Sequence, residues 1–147
     1  MELDRVDRQI LDYLQEDGRA SHAAIAKQVG LTGPAVYARV RRMETSGVIK
    51  GYKVSLDHAA IGTPLVAFVR VTTRPRQGES EEFESFVAAE PHIVECHDVD
   101  GEDSFILKVR CASPAHLREL LLRIRSISEV SRTVSTIALI TIKDAGE

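Results

Sequence analysis

The 147-residue sequence has no tryptophan, two cysteines and 5% aromatic residues. The cysteines, Cys96 and Cys111, lack ligand spacing and are expected to be small buried hydrophobic residues rather than a disulfide or metal pair. No apolar run approaches the roughly 20 residues of a membrane span, and five of the first ten residues are charged. Since 44% of the residues are hydrophobic, we expect a globular, cytoplasmic protein without a membrane segment.

Motifs of metal and catalytic chemistry are also missing. Strand alternation points neighbours in Glu95-Cys96-His97-Asp98 to opposite faces, and no second cluster has ligand spacing. Asp98–Asp103 does not fit a calcium loop, because its glycine is the fourth residue rather than the sixth. No Walker loop, GxGxxG or GxSxG motif occurs. We therefore predict no catalytic residue, no metal site and no cofactor.

The sequence lacks the positive net charge that is typical of nucleic-acid-binding proteins, since its formal net charge is −3. However, residues 1–53 hold nine Lys/Arg and seven Asp/Glu, whereas residues 54–147 hold ten and fifteen. Within residues 31–53 there are five basic residues and a single acid, Glu44. A local basic segment of this kind is sufficient for contacts with DNA phosphates.

The first 46 residues have the spacing of three short helices. Asp4, Ser21 and Thr32 are predicted N-caps, and Gly30-Leu31-Thr32 is predicted to be the tight turn of a helix-turn-helix. Residues 48–54 (VIKGYKV) then alternate and are broken by glycine, which predicts a hairpin-like wing. We predict a winged helix-turn-helix domain over residues 1–54 and a linker over residues 55–63.

The third helix is expected to carry a basic outward surface. Val36, Val40 and Met43 recur at helical spacing and are predicted to face the other two helices, and Arg39 is expected to be structural. Small residues, an aromatic ring and an arginine on the opposite side suit a helix that enters the major groove by its N-terminal end. The predicted DNA contacts are Thr32, Gly33, Pro34, Tyr37, Ala38, Arg41 and Arg42 of this helix and its cap, and Lys50 and Lys53 of the wing.

Residues 64–147 are predicted to form an α+β domain. Strand-like runs at 65–72, 92–99, 104–111 and 133–143 alternate with helical patterns at 81–90 and after Ser113. This βαββαβ order indicates a ferredoxin-like fold. In residues 66–69 and 137–140 both alternating sets are apolar, so the sheet face away from the helices should be apolar too. A second subunit on this face, giving a homodimer, is the simplest explanation; cover by the linker or a merely aggregation-prone sheet are the alternatives.

Several motifs occur in a characteristic order in the first half of the chain. They are LDRVDRQIL at residues 3–11, LQEDGR at 14–19, AKQVGLT at 26–32, RVRRME at 39–44 and GVIKGY at 47–52. This series resembles the N-terminal signature of the Lrp/AsnC (leucine-responsive/asparagine-operon, feast/famine) family of transcriptional regulators, and the similarity extends to about residue 142. The resemblance implies sequence-specific binding to double-stranded DNA, dimers that assemble into tetramers, octamers or larger rings, and sensing of an amino acid or related effector by the βαββαβ domain.

The resemblance also implies an effector site in a crevice between dimers, at the hairpin turn and the start of the last strand. The corresponding residues are Gly101, Glu102, Asp103, Ser104, Thr133 and Ser135. The last two residues are two apart, so both hydroxyls should point to one side of the strand, while turn N–H groups suit a carboxylate and nearby acids an ammonium. Many members carry aspartate three residues after this glycine, where this chain has Ser104, so no particular ligand is carried over. A plain acidic turn is the alternative.

Two other functions are compatible with this architecture. Sirohaem decarboxylases resemble it, although a basic recognition helix would be unnecessary in such an enzyme. A protein-binding winged helix would show no salt-dependent affinity for DNA. We predict a DNA-binding transcriptional regulator rather than an enzyme, with DNA and a small effector as its partners.

Overall fold

The computed structural model describes residues 2–74 and 81–143, which form two compact units; the chain divides into them between Ser55 and Leu56. The helices of the first unit are α1 (Arg5–Glu16), α2 (His22–Val29) and α3 (Gly33–Thr45). The elements of the second unit are, in chain order, β1 (Leu65–Thr73), α4 (Glu81–Ala89), β2 (Ile93–Asp98), β3 (Phe105–Cys111), α5 (Pro114–Ser126) and β4 (Val130–Ile137).

Side-chain caps determine where the three helices of the first unit begin. The side chains of Asp4, Ser21 and Thr32 each accept a hydrogen bond from the backbone N–H three residues further on. Gly30 ends α2 with φ of 69°, a left-handed conformation that glycine adopts without steric cost. The predicted caps and the helix-turn-helix are therefore confirmed.

The predicted wing is wrong. Residues 48–54 contain no strand. Instead, Gly47 has φ of 76°, and the N–H of Ile49 donates to the carbonyl oxygen of Met43 at 3.1 Å, so the chain turns back against the end of α3. The physical reason is that a strand needs a partner, and the described residues of the first unit contain no strand with which this run pairs.

The second unit is a four-stranded antiparallel sheet with helices on one face. The strand order is β2-β3-β1-β4. Its core combines Val69 and Leu107 from the central strands with Phe83 from α4 and Leu120 and Ile124 from α5, all with exposure of 0%. Burial of such side chains supplies the main driving force for folding. This arrangement confirms the ferredoxin-like α+β fold.

The last strand differs from its predicted bounds of 133–143. Pairing with β1 begins at Val130 and reaches Ile137, after which the N–H of Ala138 still donates to the carbonyl oxygen of Val66. Because β1 begins at Leu65, the residues beyond Ala138 have no partner strand. Three apolar side chains in this last stretch are exposed: Leu139, Ile140 and Ile142.

The sheet face away from the helices is mixed rather than apolar throughout. Phe68 projects from this face with 43% exposure, as predicted, but lies between Lys108 on β3 and Thr136 on β4. Arg70 follows it on the same face. The prediction rested on residues 66–69 and 137–140, and it failed because the neighbouring strand adds charged residues to the same face.

Candidate DNA-binding surface and effector region

The two sides of α3 have different environments. Val36, Val40 and Met43 are 0%, 2% and 0% exposed and pack against α1 and α2, as predicted from their spacing. The opposite side is open to solvent, with exposed side chains at Pro34, Tyr37, Ala38 and Arg41. We call these four residues the outward stripe.

The N-terminal end of α3 combines a cap, a glycine and an aromatic ring. Thr32 accepts the Ala35 N–H at 3.3 Å, and Gly33 lies beside Ala23, whose Cα would be 3.8 Å from an added Cβ. The ring of Tyr37 meets the ring of His22 in a T-shaped contact with a centroid distance of 5.5 Å. Tyr37 is thus 52% exposed, and one edge of its ring packs against α2.

All three arginines of α3 form ion pairs within the first unit. Arg39 contacts Asp4 at 2.6 Å and Asp7 at 2.8 Å, and Arg42 contacts the second oxygen of Asp7 at 2.6 Å. Asp7 has no exposed surface. The structural role expected for Arg39 is confirmed. The guanidinium of Arg42 already holds Asp7, and its DNA contact stays a prediction.

Asp4 and Asp7 also form a capping box that joins the start of α1 to α3. The N–H of Asp7 donates to Asp4 at 2.8 Å, and the N–H of Asp4 donates to Asp7 at 3.2 Å. The N–H of Asp7 and the guanidinium of Arg39 together hold the pKa of Asp4 below its ordinary value. The charge of Arg39 is therefore neutralised by acids of the same unit and does not contribute to DNA binding.

Arg41 has a different partner. Its Nη1 donates to Oε2 of Glu44 at 2.9 Å, and the hydroxyl of Tyr52 donates to Oε1 of the same carboxylate at 3.2 Å. The pKa of Arg41 is raised, chiefly by the hydrogen bond to Glu44 and next by Tyr37. Burial and the negative charge of Glu44 raise the pKa of Tyr52. Sequence reasoning missed Glu44 and Tyr52, although the i, i+3 spacing of Arg41 and Glu44 is a readable signal for an ion pair.

The two lysines predicted in the wing are exposed but lie on non-strand backbone. Lys50 precedes Gly51, whose φ is 156°, and Lys53 lines a groove with Arg19 and Tyr52 at the end of α1. Their DNA contacts stay predictions, now placed on a turn instead of a hairpin.

The hairpin turn of the predicted effector region is bound to the end of β1. Gly101 has φ of 134° and Glu102 beside it is exposed. The N–H of Ser104 donates to the carbonyl oxygen of Val71 at 2.8 Å, and Ser104 Oγ accepts both the N–H and the hydroxyl of Thr73 at 3.0 Å. Ser104 is thus already engaged within the chain.

Asp103 has two partners on β1. It accepts the hydroxyl of Thr72 at 3.2 Å and contacts Arg70 at 3.4 Å. Its side chain is 14% exposed and that of Arg70 is 47% exposed. The end of the sheet therefore offers a partly covered acid beside an accessible guanidinium.

Thr133 and Ser135 project from the other face of the sheet. Thr133 lies opposite Val71 in the register, and its hydroxyl accepts from Nε of Arg125 on α5 at 2.7 Å. Ser135 lies opposite Val69 on the same side, the side of the helices. A single chain thus brings the two halves of the predicted effector site to one end of the sheet but not to one face.

Residues 2–74 and 81–143 carry no mark of a metalloprotein or of a membrane-spanning helix. No group of three or more His, Cys, Asp or Glu that could hold a metal ion occurs there. Within those ranges no helix has the length and apolar character to cross a membrane. Cys96 and Cys111 are free thiols, and burial raises the pKa of both.

A helix-turn-helix that carries the outward stripe on α3, followed by a ferredoxin-like unit, defines a class of DNA-binding transcriptional regulators. The chain belongs to the Lrp/AsnC family. Residues 3–44 match the family's AsnC-type helix-turn-helix domain, and residues 66–147 match the Lrp/AsnC ligand binding domain.

Curated relatives support this assignment along most of the chain. The HTH-type transcriptional regulator LrpA of Mycobacterium tuberculosis is 42% identical over 143 residues, which cover 95% of this chain and 91% of the relative. The leucine-responsive regulatory protein of Escherichia coli K12 is 39% identical over 121 residues, or 82% of this chain and 74% of the relative.

Two solved structures share this fold. A transcriptional regulator from Neisseria meningitidis in complex with L-methionine has a TM-score of 0.93 at 26% identity, with 97% of this chain and 94% of that chain covered. A feast or famine regulatory protein from M. tuberculosis complexed with L-methionine has a TM-score of 0.90 at 38% identity, with 97% and 96% covered. This chain is therefore a DNA-binding transcriptional regulator of that family.

Proposed function

We propose that the regulator recognises its operator through the outward stripe of α3. The main support for this proposal is that the outward stripe is exposed, whereas Val36 and Val40, which hold the helix-turn-helix together, lie on the opposite side of α3. Thr32, Gly33, Pro34 and Ala38 are small enough for close approach to the groove. Tyr37 and Arg41 extend far enough to contact bases.

Contacts with phosphates complete this interface. Lys50 and Lys53 are exposed, and Arg42 is a third, half-exposed candidate whose guanidinium also pairs with Asp7. Two recognition helices of a homodimer would each bind one half-site. The proposed site of action is the cytoplasm, as for a regulator that binds chromosomal DNA.

The experiment is selection of bound fragments from the genomic DNA, followed by affinity measurements over a salt series. Arg41→Ala is expected to weaken operator binding about tenfold to a hundredfold. Lys50→Ala is expected to weaken operator and random DNA alike and to reduce the salt slope by about one. Arg118→Ala, an exposed arginine on α5, is the matched control. Absence of salt-dependent DNA binding would contradict the proposal.

We further propose that an amino acid or related small molecule is the effector. The two M. tuberculosis and N. meningitidis structures contain L-methionine. In this chain Asp103 and Arg70 offer opposite charges suited to an amino acid, and Thr133 and Ser135 offer hydroxyls. Because these groups lie on opposite faces of one sheet, a complete site requires residues from a second copy.

A thermal-shift screen of the twenty amino acids tests the effector proposal. Stabilisation should grow with ligand concentration, as mass action requires. It should weaken in Thr133→Ala and in Ser104→Ala, but not in Ser126→Ala, which removes an exposed hydroxyl of α5. A flat screen would indicate a regulator that works without an amino-acid effector.

Homodimers that assemble further into tetramers or octamers are the proposed oligomeric state. Partly exposed Phe68, with Ile106 and Val134 on the same sheet face, supports a dimer contact there. The proposal assigns no catalytic role to any residue. Decarboxylation of sirohaem by the purified protein would contradict that part of it.

A further inference from the structure

The carboxylate of Glu44 connects the recognition helix to the segment that follows it. One oxygen accepts Nη1 of Arg41 at 2.9 Å, and the other accepts the hydroxyl of Tyr52 at 3.2 Å. The ring of Tyr52 lies near Gly18, where an added Cβ would be 3.7 Å from its Cδ1. With both oxygens bound, the carboxylate has little freedom to swing away from Arg41.

The ion pair leaves part of the arginine available. A guanidinium has five N–H donors in a rigid fork, and Glu44 contacts only Nη1. The edge formed by Nε and Nη2 is the kind of edge that donates two parallel hydrogen bonds to guanine O6 and N7. The side chain of Arg41 is 61% exposed, so a base can approach the guanidinium.

The same carboxylate disfavours phosphate contacts. A phosphate approaching Arg41 meets a guanidinium whose charge is already balanced, and it is repelled by the Glu44 carboxylate, which is 27% exposed. A base edge carries no net charge and avoids this repulsion. Glu44 is also the only acid within residues 31–53, so no other acid of that segment acts on Arg41 in this way.

The other two arginines of α3 do not share this arrangement. Arg39 and Arg42 are bound to Asp7, which has no exposed surface and belongs to the packing between α1 and α3. Only Arg41 combines an exposed side chain on the outward stripe with a partner on its own helix.

We propose that Glu44 is a specificity-determining positioning residue: it orients Arg41 towards a base edge with two acceptors and withholds it from phosphates. This inference rests on the proposed contact between Arg41 and the operator. It predicts opposite changes in specific and non-specific affinity when the carboxylate is neutralised, which a purely structural role would not produce.

The test compares the wild type and Glu44→Gln on a selected operator fragment and on a scrambled duplex of the same length. Glutamine retains an acceptor for Tyr52 but removes the charge. Operator affinity is expected to fall about threefold to tenfold, and affinity for the scrambled duplex to rise about twofold to fivefold. The salt slope on the scrambled duplex should steepen by about 0.9, the value for one added phosphate contact.

Two controls separate this role from a general charge effect. Glu16→Gln removes the same charge from an exposed position on α1 and should leave the ratio of the two affinities unchanged. In an Arg41→Ala background, Glu44→Gln should also leave that ratio unchanged. Tyr52→Phe, which frees one oxygen of Glu44, should lower the ratio by a smaller factor and serves as the second variant.

The outcomes distinguish this inference from the proposed function. If Arg41→Ala weakens operator binding but the affinity ratio of Glu44→Gln and Tyr52→Phe stays at or above the wild-type value, the role of Glu44 is overturned and the operator contact stands. An equal fall on both duplexes overturns it as well. If wild-type binding does not depend on Arg41, the proposed contact itself fails.

Discussion

Asp7 is the residue on which the ion pairs of Arg39 and Arg42 converge. Its carboxylate accepts Arg39 and Arg42 from α3 and the backbone N–H of Asp4, and none of its surface is exposed. A buried carboxylate is tolerated only when its charge is paired and its oxygens are hydrogen-bonded. Loss of this charge should therefore affect the packing of α1 against α3.

Asp7→Asn is expected to lower the free energy of unfolding by about 2 kcal/mol. This is less than the full value for a buried ion pair, because both guanidinium groups are partly exposed and regain water. Urea denaturation at neutral pH measures the change. Asp12→Asn, at an exposed position of the same helix, should be nearly neutral; equal effects of the two variants would refute the role of Asp7.

Glu90 gives the second unit a pH-dependent contribution to stability. Burial alone would raise the pKa of Glu90, but hydrogen bonds from Arg123 and from the N–H of His92 outweigh it and lower the pKa below its ordinary value of 4.5. A depressed folded-state pKa adds stability above pH 4.5 that is lost as the pH falls through the folded value.

Glu90→Gln should therefore destabilise the protein by about 1–2 kcal/mol at pH 7, and the difference from the wild type should shrink below pH 4.5. Denaturation at a series of pH values measures it. Glu119→Gln, an exposed position on α5, is the control and should show neither effect. A difference that is constant from pH 7 to pH 3 would be inconsistent with this interpretation.

Sequence reasoning predicted residue roles only where spacing carries the information. The buried positions of Val36 and Val40 follow from helical periodicity, and so does the position of Arg39 on the side of α3 that faces α1. The acids that bind Arg39 and Arg42 are more than thirty residues away along the chain, and no local pattern connects them. Because these acids neutralise both arginines, the excess of positive charge along residues 31–53 is smaller in the folded unit than the sequence count suggests.

At the scale of elements, local signals fixed the helices and long-range pairing fixed the strands. Capping residues set the starts of α1, α2 and α3 as predicted, and Ser113 caps α5 in the same way. The predictions of the wing and of the end of β4 were wrong for one shared reason. Strand-like residues form a strand only where a partner strand exists, and β1 provides no partner for β4 beyond Leu65. The partner cannot be derived from the alternation of a single run.

The turn between α2 and α3 depends on the left-handed conformation of Gly30. An added Cβ meets nothing within 4 Å, so substitution costs only backbone strain. Gly30→Ala should lower stability by about 1 kcal/mol, and Gly30→Asn by less, because asparagine tolerates this region. Gly18→Ala, where the contacts at 3.7 Å are ordinary and φ is not left-handed, is the control in a thermal melt. Equal melting temperatures for both alanine variants would be the contrary result.

At the scale of the whole molecule, the open face of the sheet should determine self-association. Phe68 is 43% exposed there, and Leu122 on α5 is 47% exposed, so the two positions are matched in size and exposure. Phe68→Asp places a charge in the proposed contact and should raise the dimer dissociation constant at least about tenfold. Sedimentation velocity measures it, with Leu122→Asp as the control. A Phe68→Asp variant that stays dimeric at the same concentrations would exclude this face.

The division of α3 into two sides has a consequence for how such regulators diversify. Residues that hold the unit together, among them Val36, Arg39 and Met43, share no position with the outward stripe. The stripe can therefore be exchanged as a set for that of a relative without loss of the scaffold. Such a hybrid should retain its melting temperature while acquiring the donor's target genes.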